Sequence, residues 1–393
     1  MTDMFEQTVF SVAHTDARVH PLGNQERTLR LVAAPNTRAA ALKVKFSNEY
    51  GENPVLIGAA TLALCDEEGL LHPGTLVPVT FGGKLGLVLA PGEEAFSDAV
   101  PFPLQPQDYF ALSLYYPNEE KIISGNWVAA AAQRSGQGNF TATEDIPGLE
   151  VASRLVRTFM HSNMAVTLTS VCEIVALREA PGRTLACFGD SITQQGNWTV
   201  PFAQRLARAY PGEISLCNLG ISGNRLLHPS PAHLGGLNGK PGIERFARNV
   251  LSLHGLTHAI LELGSNDIGL PDGHSVPDEE LITAADYIAG MEKLAAQLKE
   301  RGVKAYVATI APRAVDDKPF DEKREKLRQD MNALLRGSAV FDAVLDFDAW
   351  LRRPDGEPGM KEGCVLPDGL HPSPFGGMCI AREIDISLFG ESC

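Results

Sequence analysis

The sequence predicts two architectures in series, an all-β sandwich over residues 1–180 and an open parallel α/β sheet flanked by helices over residues 181–393. Three observations carry this expectation. A chain of 393 residues exceeds what one hydrophobic core usually organises. From about Thr28 to Leu177 apolar residues mostly recur at every second position, between turns rich in Gly, Pro, Asn and Asp, which is the spacing of short antiparallel strands. After Glu179-Ala180-Pro181-Gly182 the pattern changes to short continuous apolar runs alternating with helix-length segments, as in strands covered on both faces.

In the first half, residues 41–46 show the alternation best: Leu42, Val44 and Phe46 share one face, Lys43 and Lys45 the other. Residues 60–64, 76–81, 85–89, 110–116 and 166–177 read as further strands, separated by turns such as His72-Pro73-Gly74 and Ala90-Pro91-Gly92. In the second half the predicted parallel strands are 184–188, 214–219, 258–263, 304–310 and 344–347. Helices are predicted over 200–210, 243–253, 283–301, 321–335 and 374–386, and no internal repeat is evident.

Composition narrows the functional classes. With 44% hydrophobic and 21% charged residues the chain reads as a soluble globular protein. A formal net charge of −14 opposes nucleic-acid and anionic-lipid partners, and the basic residues between Lys318 and Arg328 are interleaved with acids. The start, with Asp3 and Glu6, lacks the basic and apolar stretches of a secretory signal, and no apolar run approaches the length of a membrane span. Seven cysteines without a C-x-x-C pair argue against a disulfide framework and against a zinc site, so reduced thiols in a cytoplasmic protein are expected. Cys364, just ahead of the acid and base described next, reads as an incidental buried thiol.

Each candidate functional segment follows directly on a predicted strand, where open parallel sheets place their ligands. Strand 184–188 runs into Gly189-Asp190-Ser191-Ile192, where a glycine turn presents Ser191 close to a helix start. Strand 214–219 ends in Gly220-Ile221-Ser222-Gly223-Asn224, and strand 258–263 in Gly264-Ser265-Asn266-Asp267. Near the C-terminus, Asp368-Gly369-Leu370-His371-Pro372-Ser373-Pro374 sets an acid and an imidazole three residues apart, with Ser373 and Pro374 as cap and first position of the last helix. A serine hydroxyl becomes a competent nucleophile when a base takes its proton, and the base works best when a carboxylate fixes its tautomer. Ser191, His371 and Asp368 supply those three parts.

These segments resemble the SGNH hydrolases, the GDSL-type esterases and lipases, over roughly residues 183–388, with all four family blocks in order. Isoleucine at 192 replaces the usual leucine of the first block. The resemblance implies a flavodoxin-like three-layer sheet behind a jelly-roll-like sandwich, a cofactor-free and metal-free ester hydrolase, and an oxyanion hole formed by the amides of Ser191 and Gly223 and the side chain of Asn266. A weaker likeness, in residues 44–48, 74–82 and 224–255, is to multidomain bacterial members, in which an acid is expected where Asn249 stands. The favoured substrates by this analogy are sugar or oligosaccharide O-acetyl esters. The oligomeric state stays open.

Plainer roles were weighed for the neighbouring residues. Asp190 and Asp267 suit a glycosidase pair, but bonding to loop amides is the preferred reading. His228 and His233 have metal-like spacing, yet Pro229 and Pro231 break the helix that spacing needs. Trp198, Trp127, Tyr115 and Tyr116 could face a sugar, with core packing preferred. The N-terminal sandwich either binds carbohydrate or walls the cleft, the second being preferred. Alternatives for the whole chain are a general short-chain carboxylesterase, a lysophospholipase-like enzyme and an idle carbohydrate-binding protein.

Overall fold

Alternation in the sequence becomes a two-faced strand at Ala39–Ser47, where Leu42, Val44 and Phe46 are fully buried while Lys43 and Lys45 pair with Glu6 and Glu94. In the computed structural model, residues 4–19, 26–117, 121–127, 131–146, 150–152, 167–314 and 321–390 are described. Asp3, Lys318 and the first residue of the predicted strand 166–177 lie outside them.

The first half is antiparallel. One sheet orders Phe5–Ser11, Val171–Arg178, Ala39–Ser47 and Val100–Leu104. Another orders Glu150–Ala152, Ala131–Gln137, Arg27–Ala33, Tyr109–Tyr116, Ala59–Cys65 and Val77–Pro78. Val9, Val44, Phe46 and Ile174 from the first sheet share one core with Leu29, Leu31, Leu62 and Leu112 from the second, which makes a sandwich.

Several details differ from the expectation. Phe5–Ser11 is a strand that the apolar pattern concealed, because Gln7 and Thr8 are buried polar positions. In the segment 76–81 the strand is only Val77–Pro78, Pro78 having no N–H for the ladder, although Val79 N–H still donates to the Ala60 carbonyl and Phe81 bridges Lys84. The segment 166–177 divides at buried Ser170, whose φ is +61°, into Thr167–Thr169 and Val171–Arg178. Arg30, on the side of its strand away from the shared core, is fully buried. Ser113 Oγ and the carbonyls of Gly69, Thr143 and Glu144 receive its guanidinium, and burial pushes its pKa down to about 10.

The second half builds on a five-stranded sheet: β1 (Arg183–Gly189), β2 (Ile214–Asn218), β3 (Leu256–Glu262), β4 (Lys304–Ala308) and β5 (Ala343–Leu345). Their order is 2-1-3-4-5, and the β3–β4 and β4–β5 pairs are parallel. This is the flavodoxin-like order, whose strand direction of travel reverses beside β1 and opens a crevice at the carboxyl ends of β1 and β3. The helices are α1 (Ser191–Gln194), α2 (Thr199–Ala209), α3 (Gly242–Phe246), α4 (Ser265–Gly269), α5 (Ala284–Lys299), α6 (Glu322–Gly337), α7 (Phe347–Leu351) and α8 (Pro374–Glu383).

Their ends follow local chemistry. Thr283 and Asp286 form a reciprocal capping box on α5, Asp321 caps α6, and Ser373 caps α8 with Pro374 in its first turn. The predicted helix 243–253 is instead α3 followed by a π-helical turn at Ala247–Leu251. By contact density the chain forms two units, Met1–Thr184 with Tyr210–Cys217, and Leu185–Ala209 with Asn218–Cys393. Among the described residues no helix is long and apolar enough to cross a membrane.

Candidate active site

Gly189 ends β1, and Asp190 caps α1 by accepting the Ile192 N–H at 2.9 Å. That puts Ser191 in the first helical position at the carboxyl edge of the sheet, 5% exposed. Gly189 is needed at this strand end for space. A Cβ there would lie 2.6 Å from the Glu262 carbonyl oxygen and 2.3 Å from Thr193 Oγ1.

Asp368 organises its own turn. Its Oδ1 accepts the backbone N–H groups of Leu370 and His371, each at 2.9 Å, and its Oδ2 lies 2.7 Å from His371 Nδ1. Burial alone would raise this carboxyl, but the imidazole and the two amides outweigh it and hold the pKa down at about 2. Asp368 is therefore ionised near neutral pH and can only accept, so the His371 proton sits on Nδ1 and the Nε2 lone pair faces outward. Nε2 lies 2.7 Å from Ser191 Oγ. The loop is braced from behind, since Leu366 N–H donates to the His371 carbonyl and Asn197 Nδ2 donates to the Pro372 carbonyl.

Gly223 has φ +72°, and the side-chain amide of Asn238 fills the place of its missing Cβ, with Nδ2 1.4 Å from that position. Any side chain at 223 is thus both strained and obstructed. Among the described residues neither the Ser191 nor the Gly223 backbone N–H donates to a protein acceptor. Asn266 opens α4 beyond β3, and its Nδ2 donates to Asp190 Oδ2 at 3.0 Å and to the Asn224 carbonyl at 3.1 Å. Those two acceptors settle which way the Asn266 amide faces.

Beneath these groups lie three buried carboxyls. Burial raises Asp190 to about 7 against the opposing pull of the Ile192 N–H, His371 and Arg245, raises Asp267 to about 6, and lifts Glu262 well above its ordinary value, with Asp190 adding to the last. Asp267 takes the Leu226 and Leu227 amides, and Glu262 takes the Thr193 hydroxyl at 2.8 Å. Asp190 and Asp267 thus fix loop backbone, as preferred over a glycosidase pair.

Sequence reasoning missed three contributors. Arg245, buried, donates to the carbonyls of Gly189 and Leu219 and to Asn224 Oδ1, tying the ends of β1 and β2 together. Asn224, also buried, uses Nδ2 to hold the carbonyls of Asn238 and Lys240. Asn238 is the third. Those partners lie far away in sequence, so no local pattern marks them. Asn249, where an acid was expected, reaches Arg245 only at 3.4 Å.

Other candidates stay apart from this constellation. Trp198 is wholly buried against Phe202 and Phe347, and Tyr116 is buried with its hydroxyl on the Thr169 carbonyl. His233 falls on a 3-10 turn at Ala232–Leu234 that begins after Pro231, and His228 is lowered by burial and by Arg225. Among the described residues no group of three His, Cys, Asp or Glu side chains could hold a metal.

The second half is thus an α/β sheet of this order with a hydrogen-bonded serine, histidine and aspartate at its carboxyl edge. Residues 187–377 match the model of the GDSL-like lipase/acylhydrolase family. Similar solved structures include a GDSL-like lipase from Bacteroides thetaiotaomicron VPI-5482 (15% identity, 53% of this chain and 89% of that one, TM-score 0.38). They also include an aryl esterase of M. smegmatis (18%, 51% and 95%, 0.39) and an acetyl xylan esterase from Geobacillus stearothermophilus (18%, 52% and 93%, 0.38). No curated protein matches the chain.

Proposed function

We propose that this chain is a serine esterase that hydrolyses short-chain carboxylic esters, carbohydrate O-acetyl groups above all, through an acyl-enzyme. The observation that carries the reading is the unbroken row from Asp368 through His371 to Ser191, with 2.7 Å at each junction. Ser191 Oγ attacks the ester carbonyl while His371 Nε2 takes its proton, and Asp368 steadies the imidazolium that forms. Negative charge growing on the carbonyl oxygen is met by the N–H groups of Ser191 and Gly223 and by Asn266 Nδ2, which shares one hydrogen already directed by Asp190 or Asn224. Protonated His371 then releases the alcohol, and a water activated by the same imidazole frees the acid.

Substrate size is argued from access. A nucleophile only 5% exposed, beside an imidazole 12% exposed, suits a small acyl group better than a long chain. The sugar alcohol rests on family analogy. In this reading residues 181–393 form the catalytic domain and residues 1–180 an accessory domain.

The test compares an acetylated oligosaccharide, a graded series of acyl esters and an aryl glycoside as substrates. Acetyl-ester turnover that disappears in Ser191→Ala is expected. Glycoside turnover indifferent to Ser191→Ala would overturn the proposal.

A further inference from the structure

We propose that Cys364 and Cys379 form an oxidisable dithiol, whose disulfide staples the segment bearing Asp368 and His371 onto α8. The backbone places them together. The Cys364 carbonyl accepts the Ser373 N–H at 2.8 Å, and a Cβ built on Gly376 would meet that carbonyl oxygen at 2.1 Å and Cys364 Cα at 3.1 Å. Cys364 therefore lies against the first turn of α8. Cys379 stands three residues beyond Gly376, on the same helix face one turn further along. The Cys379 side chain is close enough to act on the Cys364 thiol, and both thiols are free. A disulfide between them requires a Cα separation of about 4.4–6.8 Å.

Exposure assigns the order of events. Cys364 is 2% exposed and Cys379 is half-buried, so an oxidant meets Cys379 first. The oxidant is a low-molecular-weight disulfide such as oxidised glutathione. The Cys379 thiolate attacks one of its sulfurs, forming a mixed disulfide and releasing the first small thiolate. The Cys364 thiolate then attacks Cys379 Sγ, closing the Cys364–Cys379 bond and expelling the second. The protons of the two cysteines end on the two released thiols; the protein loses two electrons, and the small disulfide gains them. Burial pushes the Cys364 thiol up, so the second attack is the slower and quickens in alkaline buffer.

The inference is independent of the esterase reading, and its experiment needs no substrate. The full chain is reduced, equilibrated in glutathione buffers of rising oxidised fraction, alkylated in denaturant and digested. Two fewer alkylated thiols and one cross-link joining the peptides of Cys364 and Cys379 are expected. Cys379→Ser should keep all its remaining thiols alkylatable, and Cys364→Ala should stop at a glutathione adduct on Cys379. A wild-type chain that stays fully alkylatable, stops at that adduct, or links either cysteine elsewhere would overturn the proposal.

Discussion

Asp368 uses both oxygens: Oδ1 binds the backbone of its own turn and Oδ2 binds His371, so the proposed base and its orienter come as one unit. Ser191→Ala or His371→Ala should lower kcat/KM for an acetyl ester by roughly 10⁴-fold or more, because each removes a partner in the proton transfer. Asp368→Asn should cost less, on the order of 10³-fold to 10⁴-fold, since base and oxyanion donors survive. In the proposed mechanism Asn266→Ala removes a donor that charge development alone rewards, so kcat should fall about 100-fold to 1,000-fold with KM little changed. Steady-state kinetics on one acetyl ester would check all three. A drop confined to KM in Asn266→Ala would remove that residue from the charge-stabilising role.

Secondary-structure elements deliver these residues through their ends. The strand runs 184–188, 258–263 and 304–310 were readable because buried parallel strands are continuously apolar, and α5, α6 and α8 because their caps are local. The turn 368–371 was readable for the same reason. The Phe5–Ser11 strand was not, since its buried Gln7 and Thr8 find partners that local periodicity does not reveal. Nor was the role of Gly189, which is set by a carbonyl from β3. Gly223→Ala should lower both soluble yield and turnover, because it adds a Cβ at a left-handed φ into the space of Asn238. Restoring an acid at the π-helical turn, as Asn249→Asp, offers buried Arg245 a charged partner and should raise the urea midpoint, by no more than about 1 kcal/mol in stability.

Over the whole molecule, the buried carboxyls make stability depend on pH. Asp190 and Asp267 have folded pKa values of about 7 and about 6, above their ordinary 3.8, so the native state binds their protons more tightly than the unfolded chain. Their contribution is full below the ordinary value and is lost as pH rises through 6 and 7. Asp368, held at about 2, acts oppositely: its contribution is present above its ordinary value and is lost as pH falls through about 2. The urea midpoint should accordingly be lower at about pH 8 than at about pH 5, and the difference should shrink in Asp267→Asn. A chelator such as EDTA should leave ester turnover unchanged if Ser191 is the nucleophile. Loss of turnover that zinc restores would instead require metal chemistry.

By itself the amino-acid sequence determined the change from period-two strands to covered parallel strands, the strand-end segments that carry Ser191, Gly223 and Asn266, and the loop before the last helix that carries Asp368 and His371. Apolar periodicity, capping and turn chemistry all act within a few residues, so a linear reading captures them. Only the tertiary structure decided that Asn266 is aimed by Asp190 and the Asn224 carbonyl, that Arg245 joins two strand ends, and that Asn238 covers Gly223. Those contacts are made by single polar atoms brought together from distant segments, where burial makes each hydrogen bond necessary and no spacing in the chain announces it.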